Sequence, residues 1–122
     1  MSRVMHFEIT GDEPEKVIDF YKEVFQWEFS KWEGPFPYWM IMTGDPDTPG
    51  IDGGLTERGG FGSNTVNTID VKNLDEAMEK VVEKGGVIIV PKQAVPKIGW
   101  MCYFKDPFEN VFGMMQDDPT AG

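Results

Sequence analysis

The sequence has few of the residues from which disulfides, metal centres and membrane spans are built. Its 122 residues include a single cysteine, Cys102, and a single histidine, His6. One cysteine cannot form an intramolecular disulfide, and no apolar run approaches the roughly 18–20 residues that a membrane span requires. The N-terminal stretch MSRVMHFEIT alternates in polarity and contains no apolar signal-peptide core. These absences predict a disulfide-free protein of the cytoplasm.

Basic residues are also scarce. The chain has 11 lysines and arginines against 21 aspartates and glutamates, which gives a formal net charge of -10. Nucleic acids and anionic membranes both require basic surfaces, so neither is an expected partner. The acidic residues are spread along the chain, as is typical of a surface that maintains solubility. Hydrophobic residues make up 40% of the composition, which is enough for a globular domain with its own core.

The first half of the chain contains one helix signature between strand signatures. Val4–Thr10 alternates in polarity and predicts a strand. Asp12 is placed to cap a helix, with Glu15 at the capping-box position and Pro14 in the first turn. The apolar residues that follow at helical spacing are Val17, Ile18, Tyr21, Val24 and Phe25. Further strands are predicted at Trp27–Lys31, Tyr38–Thr43 and Ile51–Thr56, before a glycine-rich linker, ERGGFGS.

The second half of the chain repeats this order of elements. Thr65–Val71 predicts a strand, and Asn73 is placed to cap a helix with Glu76 at the capping-box position. The tripeptide Lys84-Gly85-Gly86 ends that helix with a cation followed by glycine, as helices commonly end. Three more strands are predicted at Val87–Val90, Gly99–Lys105 and Val111–Gln116.

The two halves of the sequence can be aligned on each other. A shift of 60 residues places the strand at His6–Thr10 on Val66–Asp70, and a shift of 61 places WMIMTGDP, from Trp39, on WMCYFKDP, from Trp100. Each half is therefore predicted to be one β-α-β-β-β module, at about residues 3–57 and 63–117 of a single α+β domain over residues 1–122. Neither module can bury a sheet face alone, so two modules must pair, within the chain or across a dimer.

Three segments carry a resemblance to a known family: HFEITGDEPEKVIDFYKEVFQWEF, IDVKNLDEAMEKVVEKGGVII and YFKDPFENVFGMMQ. They resemble the vicinal oxygen chelate superfamily, which contains glyoxalase I, extradiol dioxygenases, fosfomycin-modifying enzymes and bleomycin-resistance proteins. The resemblance implies two paired β-α-β-β-β modules that form a curved, half-open barrel. It also implies a divalent metal inside the barrel, held by residues from the first and last strand of each module. The superfamily hosts many chemistries and some pure binders, so the resemblance does not fix an activity.

Only two of the four implied metal positions carry a metal-binding side chain. These positions correspond to His6 and its repeat mate Val66 on the first strands, and to Gly113 and its repeat mate Asp52 on the last strands. Valine has no donor atom and glycine offers only its backbone, so we expect no metal cofactor. A divalent metal would need an atypical ligand set of His6, Glu8 and Asp52, because Glu8 shares a strand face with His6.

The remaining candidate residues point to an apolar ligand site. His6 is interpreted either as a ligand or general base that faces the barrel cavity, or as a remnant of the ancestral metal ligand that is hydrogen-bonded to a neighbour such as Glu8. Cys102 lies among apolar residues and is interpreted as core rather than as a nucleophile. Aromatic and methionine residues crowd both halves, and prolines flank Phe36 and Tyr38 in GPFPYW. The predicted ligand-binding residues are His6, Glu8, Phe36, Tyr38, Trp39, Val66, Trp100 and Gly113.

These observations are consistent with three functions. The first is a metal-free protein that binds an apolar or aromatic small molecule, and the second is a glyoxalase-type lyase or isomerase with the atypical metal set. The third is an interaction or accessory protein that uses the dimer surface and has no small ligand. The two missing metal ligands favour the first function over the second, and only evidence of an apolar cavity separates the first from the third. A homodimer is expected in addition, because open, curved sheets leave a face to cover and the aromatic and methionine residues supply an apolar interface.

Overall fold

The computed structural model describes residues 1–57 and 65–122. The predicted linker ERGGFGS falls, from its second residue onward, on residues 58–63 and so lies outside the described residues. Two compact units make up the chain: an N-terminal unit, His6–Thr65, and a C-terminal unit, Met1–Met5 together with Val66–Gly122. In the part of the chain that is described, no helix is long and apolar enough to cross a membrane.

The N-terminal unit contains one helix, three complete strands and, from His6 onward, a fourth strand. In chain order they are β1 (Val4–Thr10), α1 (Pro14–Phe25), β2 (Glu28–Lys31), β3 (Tyr38–Met42) and β4 (Gly53–Thr56). The strands lie in the order β2-β3-β4-β1, in which the β2–β3 and β3–β4 pairs are antiparallel and the β4–β1 pair is parallel. The parallel pair requires a long crossover, which α1, β2 and β3 together provide.

Helix α1 begins one residue later than the sequence predicts. Its N-cap is Glu13 rather than Asp12, and no side chain makes a capping hydrogen bond there. Pro14 stands at the first helical position. An N–H at this position would have no intrahelical acceptor, so proline, which lacks the N–H, loses no hydrogen bond there. The helix ends at Phe25, and its C-cap, Gln26, has a left-handed conformation and donates its N–H to the carbonyl of Lys22. None of its residues is buried, and its partly covered side chains include Val17, Ile18 and Tyr21.

The C-terminal unit has the same order of elements. They are β5 (Val66–Asp70), α2 (Leu74–Glu83), β6 (Val87–Val95), β7 (Gly99–Lys105) and β8 (Val111–Asp117). The strands lie in the order β6-β7-β8-β5, again with a parallel pair between the first and last strand of the unit. The predicted cap of α2 is confirmed, because the Asn73 side chain accepts a hydrogen bond from the Glu76 N–H at 3.0 Å.

The core of the C-terminal unit lies between α2 and one face of its strands. Its buried members are Val71, Leu74, Cys102, Phe104 and Met114. Leu74 and Cys102 have no exposed surface, and Leu74 is the only buried residue of α2. The interpretation of Cys102 as a small core residue is therefore consistent with its position.

The observed elements match the predicted module order, and the α+β class with two β-α-β-β-β modules is confirmed. The largest difference in strand length is at β6, which continues through Pro91 to Val95 rather than ending at Val90. Its pairing with β7 shifts register twice between Ile88 and Gln93, which lets a strand continue through a residue that cannot donate a hydrogen bond.

Candidate functional site

One face of the N-terminal unit brings together polar side chains from β1 and β3, the two strands on either side of β4. Glu8 of β1 pairs directly with Gly54 of β4, and Gly54 pairs with Met40 of β3. Residues two apart on a strand share a face, so His6 lies on the side of Glu8, and Tyr38 lies on the side of Met40. His6, Glu8 and Tyr38 therefore project from the same face.

The three polar side chains form a connected hydrogen-bond network. His6 Nε2 lies 2.7 Å from Tyr38 Oη, and the Tyr38 hydroxyl is also hydrogen-bonded to the Glu8 side chain. A carboxylate can only accept, so the phenol proton of Tyr38 points to Glu8. The same oxygen must then accept from His6, which places the imidazole proton on Nε2 and leaves Nδ1 as an acceptor. We call these three residues the polar network.

Gly54 creates the space in which the polar network forms. The Tyr38 hydroxyl lies where a β-carbon at position 54 would be. Any side chain on β4 at this point would separate Tyr38 from Glu8, since Gly54 stands between their strands. The glycine is therefore required by the close approach of a phenol rather than by backbone conformation.

Burial and charge set the protonation of the polar network. Burial lowers the pKa of His6 below its ordinary value, although the charges of Glu8 and Asp52 act in the opposite direction. Burial also raises the pKa of Tyr38, helped by the charge of Glu8 and by the hydrogen bond to it. At neutral pH the network therefore contains a neutral imidazole and a protonated phenol.

An aromatic cluster adjoins the polar network. The ring of Trp32 lies 4.9 Å from that of Phe36 and 6.1 Å from that of Tyr38, measured between centroids. Phe36 and Tyr38 are 6.3 Å apart and nearly perpendicular, at 88°. The Trp32 ring covers the backbone of Gly34, where a β-carbon would collide with it. The predicted pair Phe36 and Tyr38 thus belongs to a three-ring cluster, and its third member, Trp32, is not among the predicted ligand-binding residues.

The C-terminal unit repeats part of this arrangement. Thr68 of β5 pairs with Gly113 of β8, as Glu8 pairs with Gly54. The Tyr103 ring approaches the position of a Gly113 β-carbon to 3.1 Å, and the Thr68 hydroxyl approaches it to 3.2 Å. Val66 lies two residues before Thr68 on the same face and is buried. A tyrosine beside a last-strand glycine is therefore a feature of both units, although the C-terminal one carries threonine where the other has Glu8.

Two predicted ligand-binding tryptophans lie on the opposite faces of their strands. Trp39 follows Tyr38 and pairs with Leu55, so it points away from the polar network, with the Lys31 ammonium 5.6 Å from its ring. Trp100 packs against the helix-side core of the C-terminal unit, and its Nε1 donates to Asp118 at 3.0 Å. Trp39 therefore lies on the face opposite the polar network, and Trp100 lies on the face opposite Gly113.

Asp52 does not occupy the position that the repeat assigns to it. The expectation that Asp52 lies on a last strand opposite β1 is wrong, because β4 begins at Gly53 and Glu8 pairs with Gly54. Asp52 is exposed and accepts hydrogen bonds from the Thr43 N–H, at 2.9 Å, and from the Thr43 hydroxyl, at 3.3 Å. Its carboxylate closes the loop between β3 and β4.

The residues of the N-terminal unit do not fit the metal that the fold family implies. His6 Nε2 is engaged by Tyr38, and the Asp52 carboxylate is engaged by Thr43. Within residues 1–57 and 65–122, no group of three or more His, Cys, Asp or Glu side chains is arranged to hold a metal ion. The structural counterpart of Gly113 is Gly54, which also has no donor side chain.

A separate groove lies between α1 and β1. Its volume is about 360 Å³, and its lining includes Ile9, Thr10, Val17, Phe20 and Tyr21. The Thr10 hydroxyl oxygen is buried and has no hydrogen-bond partner within the described part of the chain. Strand parity puts Ile9 on the face opposite His6 and Glu8, where it lines this groove beside α1. Met5, which has the same strand parity as Ile9, is exposed.

Comparison with known proteins gives a consistent family and fold. The family model described as the Glyoxalase/Bleomycin resistance protein/Dioxygenase superfamily matches residues 3–114. No curated protein matches the sequence. A solved hypothetical protein from Bacillus halodurans is similar with a TM-score of 0.71 and 15% identity, over 99% of this chain and 98% of that one.

Two solved epimerases are also similar in fold. Methylmalonyl-CoA epimerase in complex with methylmalonyl-CoA and NH4+ gives a TM-score of 0.72 at 11% identity, over 100% of this chain and 99% of that one. Methylmalonyl-CoA epimerase from Mycobacterium tuberculosis gives 0.69 at 11% identity, over 95% and 88% of the two chains. At such identities the likeness concerns the fold alone.

Proposed function

Since this chain belongs to the Glyoxalase/Bleomycin resistance protein/Dioxygenase superfamily, we propose that it binds an apolar or aromatic small molecule without a metal cofactor. The proposed site is the face of the N-terminal unit that carries the polar network, with the rings of Trp32 and Phe36 beside it. The observation that carries the proposal is the hydrogen-bonded set of His6, Tyr38 and Glu8 next to exposed aromatic surface.

The composition of this face supports ligand binding. Ligand sites combine mainly apolar and aromatic surface with a few convergent polar groups that fix orientation. Phe36 is 44% exposed and Met40, on the same face as Tyr38, is 49% exposed, so apolar area is available beside the polar network. A partly buried histidine and carboxylate are costly unless they are hydrogen-bonded. The phenol of Tyr38 satisfies both and holds them in a fixed orientation toward a bound molecule.

The donor atoms support binding without a metal. Tyr38 and Thr43 already engage His6 and Asp52, and Gly54 and Gly113 stand where the family places ligands. The metal-dependent lyase or isomerase with His6, Glu8 and Asp52 would therefore require both hydrogen-bond sets to be broken. Elemental analysis of protein purified without chelators should find substoichiometric zinc, nickel, manganese and iron. About one metal ion per chain, lost in a His6→Ala variant, would reverse the preference between these two functions.

Tryptophan fluorescence provides the test of ligand binding. The chain has four tryptophans, and Trp32 belongs to the aromatic cluster of the proposed site. A library of aromatic and phenolic compounds should contain members that quench this fluorescence saturably. Glu8→Gln should change their affinity, whereas Glu79→Gln, on an exposed position of α2, provides the same change of charge as a control. A broad library without saturable binders would refute the proposal.

A second candidate function is association with a protein partner, including a second copy of this chain. Helix α1 exposes Phe20, Val24 and Phe25 by 56%, 49% and 53%, which is unusual for large apolar side chains spaced along one helix. The expected homodimer would cover such a surface. Light scattering from micromolar concentration upward should detect a dimer that a Phe20→Ser variant weakens. A monomer at every concentration would exclude the homodimer.

A further inference from the structure

The hydrogen bonds of the polar network determine which atoms it offers to a ligand. The proton of Tyr38 goes to Glu8, and the single proton of the neutral imidazole goes from His6 Nε2 to Tyr38. His6 Nδ1 therefore presents a lone pair. A carboxylate such as that of Glu8 has about four lone-pair sites, so it can accept further hydrogen bonds beside the one from Tyr38. The network thus offers hydrogen-bond acceptors to a ligand, because both of its protons are already donated within the network.

The charge around the polar network is negative. Both charged groups that act on His6, those of Glu8 and Asp52, are carboxylates. The chain as a whole has a formal net charge of -10, which attracts cations and repels anions at the surface. An anionic ligand would oppose this field and would find no proton donor in the network. A ligand with a positive charge and N–H groups would match both properties.

The aromatic cluster adds a third feature that matches a cation. Trp32, Phe36 and Tyr38 meet at interplanar angles of 61°, 79° and 88°, so their faces point in different directions. Aromatic faces attract cations through the ring quadrupole, and tryptophan does so most strongly. The chain already uses this interaction elsewhere, because the Lys92 ammonium lies 4.9 Å from the Trp100 ring.

We propose that the ligand of the polar network is an organic cation, an aromatic or apolar group that carries an amine or amidine. Its N–H groups would donate to Glu8 and to His6 Nδ1, and its apolar part would lie against Trp32 and Phe36. This inference rests on the proposed function, since it names the chemical class of molecule for the same site. It follows from the direction of the hydrogen bonds, the sign of the local charge and the ring faces together.

Three probes of nearly the same shape test the charge preference. Benzamidine, benzamide and benzoate are planar and similar in size, but carry a positive, zero and negative charge. Titration calorimetry of the full chain at low salt should give benzamidine roughly tenfold or more tighter binding than benzamide, with benzoate weakest. Added sodium chloride should weaken the binding of benzamidine and leave that of benzamide unchanged. Glu8→Gln should reduce the ratio of benzamidine to benzamide affinity toward one, whereas Glu79→Gln should preserve it.

The outcomes separate this inference from the proposed function. Benzamide or benzoate binding as tightly as benzamidine would overturn the preference for a cation and leave small-molecule binding intact. Neutral or anionic library compounds that bind the site when benzamidine does not would also overturn the preference for a cation and leave small-molecule binding intact. If neither the three probes nor the library binds, the proposed function fails and the inference fails with it. The ranking of the probes on the wild-type chain decides the question even if the Glu8→Gln variant does not fold.

Discussion

Replacing Tyr38 by phenylalanine removes one oxygen atom on which two hydrogen bonds depend. The ring and its packing against Trp32 and Phe36 are kept, but His6 Nε2 loses its 2.7 Å acceptor and Glu8 loses its phenol donor. A polar group left without its partner costs about 1–3 kcal/mol when buried, and the lower part of that range applies to these half-buried groups. Tyr38→Phe should therefore lower the free energy of unfolding by about 2–3 kcal/mol.

Chemical denaturation provides the measurement, with Tyr21→Phe as the control. Tyr21 stacks on Trp27 at 5.0 Å, and its hydroxyl makes no hydrogen bond within the described residues, so its loss should change stability by less than ~0.5 kcal/mol. In thermal melts, a chain of this size should lose ~4 °C per kcal/mol, or about 8–12 °C for Tyr38→Phe. Equal stability of the two variants would refute the polar network as a connected, satisfied set.

Three further predictions follow from individual residues. Burial lowers the pKa of His6 below the 6.5 of an unfolded chain, so the unfolded chain binds a proton more readily than the folded one. The free energy of unfolding should therefore fall as the pH drops below about 6.5, and His6→Gln should flatten this part of the pH profile. Gly54→Ala should destabilise the protein by about 1–3 kcal/mol, because the added β-carbon meets the Tyr38 hydroxyl. Gly113→Ala should destabilise it less, since the nearest contact of that β-carbon is 3.1 Å, and the opposite order would contradict the geometry. Burial raises the pKa of the Cys102 thiol to about 11, so iodoacetamide should modify it only after denaturation, and rapid native labelling would be inconsistent with its position.

Much of the fold could be predicted because its signals are local. The internal repeat gave the β-α-β-β-β order of both units, and the capping pattern at Asn73 was confirmed in the structure. The same pattern at Asp12 did not produce a side-chain cap, since Glu13 occupies the cap position and Pro14 begins the helix. The continuation of β6 through Pro91 depends on register shifts against β7, which no local pattern in the strand reveals.

The candidate site could be predicted only in part. Strand parity correctly put His6 and Glu8 on one face, but their connection through Tyr38 depends on β4 lying between β1 and β3. That arrangement is a tertiary property, and it requires a glycine at position 54. The parity of β3 also puts Trp39 on the face opposite Tyr38, although the two residues are adjacent in sequence.

The position of Asp52 shows why a uniform repeat shift fails. Asp45 and Asp106 align at a shift of 61, but Gly54 lies nine positions after Asp45 whereas Gly113 lies only seven positions after Asp106. The loop of the N-terminal unit is thus two residues longer, so the shift assigns Gly113 to Asp52 instead of Gly54. Pairing with β1 reveals the insertion, because Glu8 lies opposite Gly54 as Thr68 lies opposite Gly113.

The most direct test of ligand binding at the polar network is nuclear magnetic resonance of the one histidine. With a single imidazole in the chain, the ring signals of His6 need no assignment by mutation. We predict that the free protein shows the proton on Nε2, and that benzamidine or a library compound shifts the His6 signals saturably with the affinity found by calorimetry. Saturable binding that leaves the His6 signals unmoved, and shifts residues of the α1–β1 groove such as Val17 and Tyr21 instead, would contradict the assignment of the site.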